Sequence, residues 1–193
     1  MANSLSLDRR TGIPRPRSQG MGRYEVWRQA LKCVDQGAEA EMPTVFEKLN
    51  LKDQKEILVI DAPASFEPEL TALDKAVVRR RPSEVKHLVF LLAFATKQKE
   101  VDALAKIVAG KAAGDAVIWV AYPKGTSKKY TCEFNRDTGW DQLGKAGFEP
   151  VRQIAIDADW TALRFRQVEH IKSLTRRPLR PLSRGGQARL KRG

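Results

Sequence analysis

The chain is poor in the residues that carry most redox and metal chemistry. Its 193 residues include two cysteines, Cys33 and Cys132, and two histidines, His87 and His170. Two thiols cannot build a disulfide framework or a four-cysteine zinc site. Neither histidine has a cysteine or carboxylate at metal-ligand spacing, so no metal site is expected and both read as structural or surface groups. Long apolar runs are also missing. The longest, Leu88–Ala95, has eight residues, against about 20 for a membrane-spanning helix. Residues 1–20 carry four arginines and two prolines with no apolar segment behind them, unlike a secretory signal. With two unpaired thiols, the expected setting is a reducing cytoplasm.

What is present is enough apolar material for a core, 42% of residues, and a net charge of +12. That charge is unevenly placed. Residues 1–41 hold seven basic and five acidic groups, residues 42–171 twenty and eighteen, and residues 172–193 eight and none. The surplus thus sits at one end. Pro178, Pro181, Gly185 and Gly186 interrupt any regular element there. The few leucines of the segment do not repay the entropy of ordering it. Residues 172–193 are therefore expected to be a disordered basic tail, either simply solvated or contacting a polyanion such as RNA or DNA through Arg176, Arg177, Arg180, Arg184, Arg189, Lys191 and Arg192. The tail has no aromatic residue on which bases could stack, so such contact would be sequence-tolerant.

Residues 1–41 read as a flexible N-terminal extension. It has one helix candidate over 23–41, where Tyr24, Trp27, Leu31 and Val34 recur at helical spacing. Met21 and Met42 are both candidate alternative starts, so these residues are expected to be an upstream extension. A single domain is expected over 42–171. Glu56–Asp61 predicts a buried strand stopped by Pro63, Ser65–Leu73 a short helix capped by Ser65, and Lys75–Arg80 a shorter strand. Lys86–Ala95 predicts a central strand buried on both faces. Thr96 is the expected cap of a helix over Lys97–Lys111, whose Val101, Leu104, Ala105 and Val108 form one apolar stripe. Ala116–Ala121 predicts another strand. Asp137 is the expected cap of a helix ending at Gly147, and Val151–Ile156 and Trp160–Arg166 pair as a hairpin. This alternation calls for a three-layer α/β, Rossmann-like arrangement: a mostly parallel sheet with a C-terminal antiparallel hairpin at its edge. By analogy of topology it is also the broad layout of methyltransferase-like folds.

Residues 118–129, IWVAYPKGTSKK, and 139–165, GWDQLGKAGFEPVRQIAIDADWTALRF, carry a strand ending in Pro123-Lys124, a helix ending before Gly147, and the hairpin motif Asp159-Trp160-Thr161. In this order and spacing the chain resembles the bacterial domain-of-unknown-function 3052 family over roughly residues 42–170. The resemblance implies this fold and a bacterial cytosolic setting. It implies no established activity and hence no catalytic residue.

Site chemistry is read from the loops. A dinucleotide or S-adenosylmethionine site on such a sheet begins with a glycine-rich turn after the first strand. Here the turn is Asp61-Ala62-Pro63-Ala64-Ser65, without glycine and with a proline that lacks a donor. No Walker A sequence exists either. Asp61, at the strand end, either faces a cleft or serves the turn. The stronger candidate is the loop that leaves a central strand after Tyr122. Lys124, Gly125, Thr126, Ser127, Lys128 and Lys129 supply charge, hydroxyls and a permissive backbone suited to a phosphate or carboxylate. Asp157 and Asp159 read as turn residues, Cys132 as a plain buried thiol, and Trp119, Trp140 and Trp160 as core.

Three functions remain distinct at this point. The first is a non-catalytic binding or accessory protein that recognises an anionic ligand or partner. The second is an enzyme with a degenerate methyltransferase-like or phosphate-handling site. The third is a nucleic-acid-associated protein acting through its basic C-terminal tail. The glycine-free first turn favours the first, and no cofactor is specified.

Overall fold

The central strands are apolar almost throughout, and because successive side chains point to opposite faces, two separate cores follow. The computed structural model describes residues 43–172 and 181–190. The expectations for residues 1–41 lie outside the described residues. The elements run α1 (Val45–Lys48), β1 (Glu56–Ile60), α2 (Glu67–Thr71), β2 (Val77–Arg79), β3 (Leu88–Phe94), α3 (Gln98–Lys111), β4 (Ala112–Pro123), α4 (Asp141–Lys145), β5 (Phe148–Ala155), β6 (Trp160–Gln167) and α5 (Arg184–Leu190), with short 3-10 turns between some of them.

The six strands form one sheet in the order β2-β1-β3-β4-β6-β5. Strands β2, β1, β3 and β4 are parallel, and β6 is antiparallel to both β4 and β5. The fold is thus a mostly parallel, Rossmann-like α/β sheet with an antiparallel C-terminal pair. The hairpin forms one edge of the sheet, as expected, and its second strand lies inside its first. The antiparallel strand β6 is internal, and β5, running in the direction of β1–β4, forms the edge. The reason is apolar content. β6 is buried over its first four residues, whereas β5 is half-exposed along much of its length. β5 also contains Pro150 at a register shift against β6, and a proline is tolerated at an edge or bulge.

One face of the sheet presents Leu58, Leu91, Ala93, Ile118, Val120, Leu163 and Phe165 to the buried side of α3 and to Leu143 of α4. All four residues of the predicted stripe on α3 are buried. The other face presents Ile57, Val59, Phe90, Leu92 and Trp119 to Phe46, Leu49, Phe66 and Leu70. Trp119 is fully buried, and its indole N–H donates to the Leu49 carbonyl at 2.7 Å. The bond ties the turn after α1 to the middle of the sheet.

The helix starts differ from expectation. Ser65 does not cap: the chain passes from Pro63 through a 3-10 turn, Ala64–Phe66, into α2. Nor does the Thr96 side chain cap α3. The Thr96 and Lys97 amides instead donate to the Glu100 carboxylate, at 2.8 and 3.0 Å. Asp137 lies within a turn built on Asn135, whose side-chain oxygen accepts from the Asp137 and Thr138 amides, and α4 starts only at Asp141.

Residues 181–190 also depart from expectation. They are docked, with Pro181 and Ser183 buried. The buried Glu149 carboxylate accepts from the Leu182 amide (3.0 Å), the Ser183 amide (2.7 Å) and the Ser183 hydroxyl (2.6 Å). Ser183 in turn accepts from the Gly186 amide at 2.9 Å. The glycines that would break a solvated segment are what let this one approach. A Cβ on Gly186 would strike Glu149 and Pro181, and one on Gly144 of α4 would strike Leu182. The composition of the segment disfavours order in isolation, and contacts more than thirty residues away in sequence supply it.

Candidate functional site

Parallel strands leave their carboxyl ends at one rim of the sheet, and ligands of open α/β folds bind there. The switch point lies between β1 and β3, because the connections from β1 and β3 leave in opposite directions. Beyond β1 the backbone turns at Asp61, which has a left-handed φ of +53°, and Pro63 then directs Phe66 inward. The buried rings of Phe66 and Phe94 meet with centroids 5.1 Å apart, and Phe94 contacts Trp160 at the same distance. Aromatic side chains therefore fill this corner on one face of the sheet.

A second natural anion position is the amino end of α3, the longest helix described. The protein's own carboxylates occupy it. Glu100 takes the Thr96 and Lys97 amides, and Glu133 takes the Gln98 amide at 2.8 Å. Although burial works against ionisation of Glu100, the two amide bonds prevail and hold its carboxyl below the ordinary range.

The carboxyl end of β4 is different. Here Tyr122, Pro123 and the loop over residues 124–136 enclose an open cleft of about 830 Å³. Its floor is polar: the Gln153 amide nitrogen donates to the Tyr122 hydroxyl (3.2 Å) and to Thr161 Oγ1 (3.1 Å). Tyr122 packs edge-on against Trp140, and Phe134 lies beside both rings. The hydrophobic half of the cleft is thus rigidly backed.

The loop itself is strapped to the β5–β6 hairpin. The Lys124 amide donates to the Asp159 carbonyl at 2.7 Å and its ammonium to the Asp157 carbonyl at 2.5 Å. The Ser127 hydroxyl donates to Asp159 Oδ1 at 2.7 Å and accepts from the Lys129 and Tyr130 amides. Asp157 closes the hairpin by accepting from the Asp159 and Trp160 amides, so both aspartates serve the turn. A bond from the Ser127 amide to the Lys124 carbonyl closes a turn with Gly125 and Thr126 at its tip. Among the described residues, the amides of Gly125 and Thr126 and the Thr126 hydroxyl have no protein acceptor.

Of the predicted anion-binding residues, Lys124, Gly125, Thr126 and Ser127 line the cleft, whereas Lys128 and Lys129 are exposed and do not. The Lys129 ammonium lies 5.5 Å from the Tyr130 ring centroid instead. Asp61 is exposed and outside the cleft lining. In the C-terminal set, Arg184 and Arg189 belong to α5, and Arg189 donates to the Ile171 carbonyl at 2.5 Å. Arg176, Arg177, Arg180, Lys191 and Arg192 lie outside the described residues. Sequence reasoning missed Arg136 and Gln153, which reach the cleft from a distant part of the loop and from another strand. No local pattern marks either.

Cys132 lies in the lining of the cleft and is half-buried. Burial pushes the Cys132 thiol up from its ordinary value, with the nearby Glu133 and Glu100 adding to the rise. It is therefore a poor nucleophile. Among the described residues, no group of histidines, cysteines and acids is placed to hold a metal ion, and no helix is long and apolar enough to cross a membrane.

No family model matches the chain and no curated protein matches its sequence. Solved structures are similar to it in layout. An S-adenosylmethionine-dependent methyltransferase from Aquifex aeolicus is 12% identical with a TM-score of 0.45, over 72% of this chain and 98% of that one. The fibrillarin pre-rRNA processing protein of Methanococcus jannaschii is 11% identical with a TM-score of 0.41, over 66% and 70%. A TehB-like methyltransferase from Corynebacterium glutamicum is 8% identical with a TM-score of 0.41, over 76% and 100%. Nothing about activity carries across at this level of likeness.

Proposed function

We propose that the protein is a non-catalytic binding protein that holds a small anionic ligand in the cleft at the carboxyl end of β4. The observation that carries this reading is the turn at Gly125-Thr126. Gly125 and Thr126, whose amides and hydroxyl have no protein acceptor among the described residues, line a cleft that also holds Lys124 and Arg136. Adjacent free backbone donors in a turn suit an oxyanion. Arg136 adds a charge that its nearest acid, Asp137 at 3.9 Å, does not hold in hydrogen-bond geometry. Tyr122 and Phe134 supply apolar wall for the rest of the ligand. The strapping of the loop by Asp157 and Asp159 means that little ordering is needed on binding, which favours affinity.

The test is calorimetry on the full chain against a panel of small phosphates and carboxylates. At least one is expected to bind, and Arg136→Gln combined with Thr126→Val should weaken it by roughly tenfold or more. Retention of full affinity by that double variant would sink the reading. S-adenosylmethionine is the control for the methyltransferase-like alternative. Phe66 and Phe94 at the switch point disfavour it, and it is expected to leave the melting temperature unchanged.

A further inference from the structure

The opposite face of the β5–β6 pair carries an unexplained concentration of positive charge. Arg164 on β6 lies directly across from Trp119 on β4 and from Arg152 on β5. Directly opposed residues share a face, so all three side chains emerge together. Arg166 follows two residues along β6, on the same side. Like charges on facing strands destabilise a sheet, and here acids do not offset them. Asp115 is taken by Arg166, which donates to it from Nε at 2.6 Å and from Nη2. Glu149, opposite Arg166, gives its carboxylate to Leu182 and Ser183. His170 lies within electrostatic reach of Asp115 and has Glu169 Oε1 3.5 Å from its Nε2.

Among the described residues, neither Arg152 nor Arg164 has a hydrogen-bonded or ion-paired side chain, and Arg164 Nε is buried without a partner. Burial, then repulsion from Arg166 and Arg152, pulls the Arg164 guanidinium below its ordinary value, with Asp115 opposing. A guanidinium does not escape such a position by losing its proton. The bare protein therefore keeps a confined, unpaired donor beside two further cations.

We propose that Arg152 and Arg164 form a binding site for a phosphate-type oxyanion, free or as a monoester. One such anion accepts from the solvent-facing nitrogens of the Arg164 and Arg152 guanidinium groups, and it cancels the repulsion between them. Arg166, held by Asp115, adds field without donating its engaged nitrogens. The site is separate from the β4 cleft, because Gln153, which lines that cleft, is next to Arg152 on the strand and points to the opposite face. It stands whether or not the cleft binds a ligand.

The experiment follows arginine Nε–Hε signals of the full chain by NMR during titration with inorganic phosphate, with phenyl phosphate as a second arm, both at constant ionic strength. Absence in Arg164→Gln identifies the Arg164 signal. A saturable shift of that signal is expected, weakened roughly tenfold by Arg152→Gln and unaffected by Arg136→Gln. Saturation by phenyl phosphate alone would make the ligand a monoester; saturation by both would make the phosphate group sufficient. No saturable shift in either arm, or a shift abolished by Arg136→Gln but not by Arg152→Gln, would overturn the proposal. Melting supplies an independent readout. Arg164→Met should melt higher than the wild type in phosphate-free buffer and lose any rise caused by phosphate. Lower melting of Arg164→Met would mark a structural arginine and also overturn it.

Discussion

Glu149 shows how much a single side chain decides in this protein. One buried carboxylate accepts two backbone amides and a hydroxyl from the C-terminal segment. Its replacement by alanine leaves those donors buried without a partner. Glu149→Ala is expected to lose roughly 2–3 kcal/mol of unfolding free energy in urea, together with hydrogen-exchange protection at Leu182 and Ser183. Unchanged protection there would mean that the segment is held by something else. Asp115 supports a different expectation. Hydrogen bonds from Arg166, against some opposition from burial, hold its carboxyl below the ordinary range. Its stabilising contribution is therefore complete above the unfolded-state value of about 3.9 and is lost as pH falls through the lower folded-state value. Asp115→Asn should flatten that part of the acid limb of a pH–stability curve; an unaltered limb would assign the acid sensitivity to other carboxylates. At this scale the sequence was legible where chemistry is local. Asp157 and Asp159 sit in the hairpin turn, as their spacing suggests, whereas Cys132, expected to be buried, is half-buried, with burial still pushing its thiol up. Glu149, Arg136 and Gln153 were not legible, because their partners arrive from distant parts of the chain.

Elements with a strong internal period are legible throughout, whereas the short helices are legible in place but not in their starts. The stripe of α3 and the continuous apolar run of β3 announce themselves, since burial on one face leaves a period and burial on both leaves an unbroken apolar run. Leu104→Ala, within that stripe, should cost about 2–5 kcal/mol by thermal or chemical unfolding. A cost well under this range would place the side chain outside the main core. The starts of the short helices resist reading for the same reason. α2 and α4 have five residues each, too few for periodicity to outvote the local attraction of Ser65 and Asp137 as caps. α5 contains two consecutive glycines, which count against a helix in any propensity scale. Their lack of side chains is what admits it against Glu149, Pro181 and Val168. Gly186→Ala should therefore destabilise the docked segment despite alanine's better helix propensity, visible as lost exchange protection over residues 182–187. A gain in protection would show that propensity rules here.

For the whole molecule, alternation of strands and helices was sufficient to infer the layered sheet, and the order of its edge strands was not. Nothing local distinguishes a hairpin that adds outward from one whose second strand slips inside. Apolar content decides between them, and β6 carries more of it than β5. Charge was legible as a sum and misleading as a location. The surplus after residue 171 was read as one solvated thread, whereas part of it is a helix seated on the domain. A chain ending at residue 180 should therefore melt at a lower temperature than the full chain; equal melting would restore the picture of a passive tail.

The inward position of β6 also bears on how the protein is made. Translation delivers β5 before β6, the only strand among the described residues that it hydrogen-bonds to, so until then it has no place in the sheet. Until Trp160–Gln167 clears the ribosome, the long strand β4 presents a bare edge. A nascent chain paused within the preceding stretch is then a species at risk of sticking to its neighbours, and a stall there should call for chaperones more than one at any earlier point in the domain.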